Sequence, residues 1–195
     1  MNAVFIKSAV RPGDFPPDEG AEVAVVGRSN SGKSSAINAI LGSAGLARVS
    51  KTPGRTQLIN FFSLGGARRC VDLPGYGFAR VNVKVRQGWE AMVTGYFESR
   101  RSLRGLLLTV DVRRGIGELD ERMLNWCAEL GVPVFILATK ADKLSRDKGR
   151  RAVAVMAQEA EAWNASVCLF SALNGTGLEA ARTRLERWLE ATDVS

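Results

Sequence analysis

The chain has 195 residues, 27 Lys plus Arg against 20 Asp plus Glu, a formal charge of +7 and no histidine. The missing histidine excludes Ser-His-Asp hydrolysis, Cys-His proteolysis and His-ligated metal sites, and leaves any metal to be a hard cation on oxygen ligands. No apolar run approaches the roughly 18 residues of a membrane span, and the basic balance suits a polyanion such as RNA as well as a plain solvated surface.

One domain with at most a short extension is expected at this length, and such a domain removes about 70% of its unfolded surface from water. Cys70, Cys127 and Cys168 are scattered with no CxxC pair, which suits reduced thiols serving as small core residues. Met1–Val10 lacks the charged-then-apolar build of a secretion signal, so a cytoplasmic location is expected.

In chain order, Met1–Gly20 holds Pro12, Pro16 and Pro17 and reads as a lead-in to a single domain over 21–195. Glu22–Val26 reads as a strand and Lys33–Leu41 as a helix. Thr56–Leu64 and Arg69–Asp72 read as a hairpin through Gly65-Gly66. Val85, Trp89, Met92, Val93, Tyr96 and Phe97 make one apolar stripe of a helix. Gly105–Val110 follows as a buried strand. Leu119, Met123, Trp126, Cys127 and Leu130 mark the next helix, then come a strand over Val134–Thr139, a helix from Arg146 to Trp163, and a short strand over Val167–Phe170. A last helix opens with Thr176 and Glu179 at capping-box spacing. Strands alternating with helices predict an α/β fold: a mostly parallel sheet covered on both faces, with the hairpin adding one antiparallel edge strand. Ligands of such sheets sit at the carboxyl ends of the strands.

The chemistry-bearing residues fall at those ends. Gly27-Arg28-Ser29-Asn30-Ser31-Gly32-Lys33-Ser34 fits GxxxxGK(S/T) between a strand and a helix, the context in which glycines let successive N–H groups turn inward on a phosphate. Ser35 continues that first helical turn. Lys33 can reach the outer phosphates, and the Ser34 hydroxyl can ligate Mg²⁺. Asp72-Leu73-Pro74-Gly75 ends a strand; its carboxylate can hold Mg²⁺ through water, and the Gly75 N–H can meet a γ-phosphate. In Thr139-Lys140-Ala141-Asp142, the carboxylate can accept from both guanine N1–H and the exocyclic 2-amine, and adenine has neither a donor at N1 nor a 2-amino group, while the Lys140 stem can lie over the ring. Ser171-Ala172 can add a backbone donor to guanine O6. Between the first helix and the hairpin, Lys51–Gln57 holds Gly54, Arg55, Thr52 and Thr56, either threonine being able to reach Mg²⁺ when the loop closes on a γ-phosphate.

The series GRSNSGKSS, KTPGRTQLINFF, DLPGYGFA, TKADKL and SA resembles the EngB (YihA/YsxC) family of bacterial GTPases, within the TrmE–Era–EngA–EngB group, from about Val4 to the final helix. The resemblance implies a three-layer Ras-like P-loop G domain that binds GTP and GDP and hydrolyses GTP slowly. It also implies a role in assembly of the large ribosomal subunit, on rRNA, and in normal cell division and septation. It selects Thr56 over Thr52 as the second Mg²⁺ ligand. Tyr76 stands where Ras-like enzymes carry the water-orienting Gln, Thr139 where many have Asn, and Leu173 where many have Lys. Asn30 matches an Asn that helps hold K⁺ beside the phosphates in related GTPases; a simple turn role accounts for it equally, and turnover in KCl against NaCl separates the two. Arg100-Arg101, Arg113-Arg114 and Arg150-Arg151 are candidate RNA contacts. The expected assembly state is a monomer with no membrane contact. Competing readings are a nucleotide-gated adaptor for division proteins without direct RNA contact, and an ATP-using P-loop kinase. The Asp142 motif and the lack of a segment large enough for a lid argue against the kinase.

Overall fold

Alternation along the central strands divides the core into two layers. The computed structural model describes residues 2–47, 58–77 and 83–190. Among them run strands β1 (Val4–Ala9), β2 (Ala21–Gly27), β3 (Ile59–Ser63), β4 (Arg68–Asp72), β5 (Leu103–Asp111), β6 (Val134–Thr139) and β7 (Ser166–Leu169). The helices are α1 (Lys33–Leu41), α2 (Val83–Ser99), α3 (Glu118–Glu129), α4 (Arg146–Ala160) and α5 (Leu178–Glu190). Successive strand side chains point to opposite faces. Val23, Val25, Leu107 and Leu137 therefore meet Ile37, Ile40, Leu185 and Trp188 of α1 and α5. Ala24, Val26, Leu106 and Leu108 meet Val93, Tyr96, Met123 and Leu124 of α2 and α3. Strands buried on both faces read as unbroken apolar runs, which is why β2, β5 and β6 were visible in the sequence.

The seven-stranded sheet runs β1-β3-β4-β2-β5-β6-β7. It is parallel except at β3, which opposes both of its neighbours. One antiparallel strand was expected, but its place at the edge is corrected. The edge belongs to β1, from the segment read as a lead-in. Only Ala9 of β1 is buried, so no apolar alternation announces the strand. It is held instead by its backbone ladder to β3, by a 2.7 Å hydrogen bond from the Ser8 hydroxyl to Asn60, and by an edge-on contact of Phe5 with Phe62.

Two helix ends also differ from expectation. α4 stops at Ala160 and tightens into a 3₁₀ turn over Glu161–Trp163, closed by Asn164 in the left-handed region at φ 51°. α5 starts at Leu178, and the Thr176 hydroxyl donates to Asn174 at 2.8 Å rather than capping the helix. Cys70 and Cys127 are buried and Cys168 is half-buried; burial pushes all three thiols up to about 12, so none is a thiolate near neutral pH. Among the described residues, no helix is long and apolar enough to cross a membrane.

The amino end of β2 carries a buried charge cluster. Glu22 is fully buried and accepts from Arg69 Nε at 2.6 Å, Arg100 Nε at 3.1 Å and the Tyr96 hydroxyl at 3.0 Å. The same guanidiniums donate to the carbonyls of Pro16 and Pro17, and Asp18 accepts from the Arg101 and Ser102 N–H groups. This folds the proline-rich stretch onto the base of the sheet, with Phe15 against Phe61 and Tyr96. Glu22→Ala leaves two guanidiniums buried without their carboxylate. It is expected to cost about 3–5 kcal/mol in urea denaturation, while nucleotide affinity at the opposite end of β2 stays unchanged.

Candidate functional site

Loop 28–32 leaves the carboxyl end of β2 and enters α1 through two left-handed residues, Asn30 at φ 65° and Gly32 at φ 92°. Asn tolerates that region through local hydrogen bonding and glycine has no Cβ to clash. Gly27 is demanded by proximity, since a Cβ there would come within 2.1 Å of Thr109 Oγ1. Buried hydroxyls fasten the loop to the next two strands. Ser31 Oγ and Thr109 Oγ1 are 2.7 Å apart, and Thr109 Oγ1 is 3.2 Å from the Val26 carbonyl. Thr139 Oγ1, at the end of β6, donates to the Ser31 carbonyl and lies 3.0 Å from that of Val110. A trans peptide holds its C=O and N–H on opposite sides. Turning the Ser31 carbonyl out to Thr139 therefore turns the Gly32 N–H inward. With the α1 N-terminus carrying Ser34 and Ser35 beside it, the loop can cradle an anion.

Lys33 opens α1, and its ammonium pairs with the Asp72 carboxylate at the end of β4. Asn60 Nδ2 lies 3.4 Å from the other Asp72 oxygen. The turn after β4 is zipped along the loop: Leu73 N–H donates to Val25 O, Tyr76 N–H to Gly27 O at 3.2 Å, and Ser29 N–H to Tyr76 O at 2.7 Å. Gly75 lies so close that a Cβ would sit 3.1 Å from Gly27 O. Trp89 of α2 donates to the Pro74 carbonyl at 2.8 Å.

At the other end, Lys140 adopts φ 60°, and its ammonium donates to Asn30 O at 2.6 Å and pairs with Asp111 at 3.0 Å. The lysine stem thus bridges the TKAD turn and the phosphate-type loop. Ser171, fully buried, donates to Asp142 Oδ1 at 2.7 Å and accepts from the N–H groups of Leu173 and Asn174. That Ser171 bond lowers the Asp142 pKa. The carboxylate is therefore acceptor-only at neutral pH. Between the two ends opens a cavity of about 670 Å³, lined by Gly32, Ser35, Thr139, Lys140, Asp142 and Ala172 among others. That volume suits a nucleoside-sized ligand. Leu173 stands 79% exposed at its mouth.

Loop, DLPG turn, TKAD turn and Ser171-Ala172 thus come together at the carboxyl end of the parallel strands. Thr52, Gly54, Arg55 and Thr56 lie outside the described residues. Arg100 is removed from the RNA candidates, because it is buried on Glu22. Arg113 is bound by Asp111 through two hydrogen bonds; burial raises Asp111, but Arg113 and Lys140 outweigh it and hold the carboxyl well below the usual range. Arg150 and Arg151 are exposed on α4. Asp111, Thr109 and Asp120 were not anticipated. The first two end an apolar strand at the ligand edge, which was the available signal, and Asp120 stands three residues after Gly117 at helix-capping spacing.

A family model described as a 50S ribosome-binding GTPase matches residues 22–140. The probable GTP-binding protein EngB of Nitrosococcus oceani is 50% identical over 196 residues, covering 97% of this chain and 98% of that one. The chain belongs to the EngB family of GTP-binding proteins. EngB of Methylococcus capsulatus is 47% identical, covering 95% of this chain and 90% of its own, and EngB of Coxiella burnetii 44%, covering 98% and 94%. The crystal structure of a probable GTP-binding protein EngB superposes with a TM-score of 0.70 at 22% identity, covering 87% of this chain and 98% of that one. Aquifex aeolicus Era bound to GDP·AlF4⁻ gives 0.67 at 21% identity, covering 90% and 58%. These likenesses show the Ras-like fold. As an EngB-family member the chain is a P-loop GTPase, converting GTP and water to GDP and phosphate.

EngB-family membership gives the Thr139 contacts a consequence for nucleotide binding. Thr139→Val removes the hydroxyl that donates to the buried Ser31 carbonyl, and a loss of about 1–3 kcal/mol is expected in thermal denaturation. Fluorescent GDP should bind more weakly as well, because the loop loses a tie that orients it. Thr139→Ser, which keeps the hydroxyl, should retain most of both.

Proposed function

We propose that this chain is a nucleotide-gated switch in assembly of the large ribosomal subunit, working in the cytoplasm as a monomer and needed for normal cell division and septation. The observation that carries its guanine-nucleotide part is the Asp142 carboxylate, held by Ser171 across the cavity from the phosphate-type loop. In this reading Gly27 to Ser35 hold the phosphates, with Lys33 on the outer ones. Thr139, Lys140 and Asp142 take guanine with Ala172, and Leu73, Pro74 and Gly75 form the sensor of the third phosphate. Gly54, Arg55 and Thr56, outside the described residues, complete the nucleotide contacts in this reading.

Ser34 and Asp72 fit Mg²⁺, Asp72 through water, with Thr56 as the second hydroxyl. Among the described residues no three carboxylates or thiols converge. A hard cation would thus depend on phosphate oxygens as well as on these residues, as Mg²⁺ commonly does. When bound it neutralises charge on the outer phosphates. Lys33, paired with Asp72 here, would supply the ammonium for the outer phosphates, and Asp72 would hold the cation through water. Asn30, with its carbonyl already engaged by Lys140, stands beside the loop where K⁺ would assist. Hydrolysis is slow in this reading because the Tyr76 hydroxyl points away into the protein, bonded to Asp120 at 2.5 Å, so no carboxamide stands at that place to orient water.

Competition with labelled GDP tests the base reading: GDP should displace it and ADP should not, and Asp142→Ala should weaken GDP by about a hundredfold or more. ADP binding as well as GDP would end the guanine reading. The ribosomal part is supported by the family description, the +7 charge and the exposed Arg150 and Arg151. Its test is co-sedimentation with large-subunit precursors, with a non-hydrolysable GTP analogue against GDP over a salt series. Binding should need the analogue and fall steeply with salt. No binding in either state would move the partner to division proteins.

A further inference from the structure

Tyr76 follows directly on the sensor turn, and its side chain is 6% exposed. Its hydroxyl donates to Asp120 Oδ1 at 2.5 Å, and Asp120 Oδ2 accepts the Gly117 N–H at 2.9 Å in the first turn of α3. Asp120 is itself 1% exposed. The Trp89 ring meets the Tyr76 ring edge-on at 5.8 Å while its Nε1–H holds the Pro74 carbonyl. On the other side the Tyr76 main chain is bonded to Gly27 and Ser29. Burial raises the Tyr76 phenol far above its ordinary range, so it stays an O–H donor at any working pH. Burial also lifts the Asp120 carboxyl, against the opposing pull of its two donors. The turn from Asp72 to Tyr76 is thus gripped on one side by the phosphate-type loop and on the other by α2 and α3.

We infer that Tyr76 and Asp120 form an anchor that fixes the Gly75 N–H for the third phosphate, making Tyr76 a positioning residue for triphosphate recognition rather than a group that handles water. The inference rests on the reading of Gly75 as the sensor. A donor held in place before the ligand arrives loses less freedom on binding than one that must be ordered. In that reading the Gly75 N–H meets the third phosphate alone, so releasing the anchor weakens the triphosphate more than the diphosphate. A merely structural tyrosine would weaken both together.

The experiment measures affinities of the full chain for a non-hydrolysable GTP analogue and for GDP, in the native sequence and in Tyr76→Phe, Asp120→Asn, the double variant and Gly75→Ala. Tyr76→Phe is expected to weaken the analogue about five- to tenfold relative to GDP, the size of one lost hydrogen bond. Asp120→Asn should move the ratio the same way. The double variant should be no worse than the more affected single one, because both changes remove one interaction. Equal losses for both nucleotides, no change in the ratio, or additive effects would overturn the anchor. Gly75→Ala separates the two ideas. If it leaves the ratio untouched, the sensor reading has failed. If it shifts the ratio while Tyr76→Phe does not, only the anchor has failed.

Discussion

The carboxyl end of β2 lies so close to β5 that Gly27 has no room for a side chain beside Thr109, and this contact sets the position of everything that follows. From that point the chain must turn sharply and pass under the ends of two neighbouring strands before it can start α1. Two buried hydroxyls, on Thr109 and Thr139, meet the Val26 and Ser31 carbonyls, and the Ser31 hydroxyl is bonded to that of Thr109. Buried polar groups left unpaired are costly, so the same bonds that stabilise the turn also dictate which way its N–H groups point. A loop able to cradle an anion is a by-product of satisfying that backbone.

The two ends of β2 hold charge in opposite ways. At the amino end Glu22 is fully buried and its guanidinium partners are nearly so, and the cluster organises Pro16 to Glu19 against the sheet. At the carboxyl end the charges are held in separate pairs: Lys33 with Asp72, Lys140 with Asp111 and the Asn30 carbonyl, and Asp142 with Ser171, of which Lys140 and Asp142 line the cavity. An ion pair closed off from solvent serves architecture, because breaking it leaves an unpaired buried charge. One at the lip of a cavity can exchange partners. The same types of residue, Arg or Lys against Asp or Glu, therefore do different work at the two ends.

The turn after β4 is held from two sides. Its backbone is bonded to Gly27 and Ser29 of the phosphate-type loop, while Trp89 of α2 holds the Pro74 carbonyl and the Tyr76 ring, and Asp120 of α3 holds the Tyr76 hydroxyl. Packed and hydrogen-bonded groups thus run without a break from Gly27 through Tyr76 to the first turn of α3.

The sequence by itself determined the parts whose signal is local. GxxxxGKS between a strand pattern and a helix pattern, DLPG after a strand and TKAD after another carry their own context, and α1 and β6 run over the residues their patterns span. Strands buried on both faces leave continuous apolar runs, so β2, β5 and β6 were legible without coordinates. Only the tertiary structure decided β1, because an exposed edge strand is held by its ladder and leaves no burial pattern. Only it removed Arg100 from the surface, since a guanidinium's burial depends on a carboxylate at Glu22, 78 residues away in sequence. The pairing of Tyr76 with Asp120, 44 residues apart, was hidden for the same reason. Hydrogen bonds between side chains from different strands and helices follow from how the layers stack, and one-dimensional periodicity reports which face a residue takes, not whom it meets there.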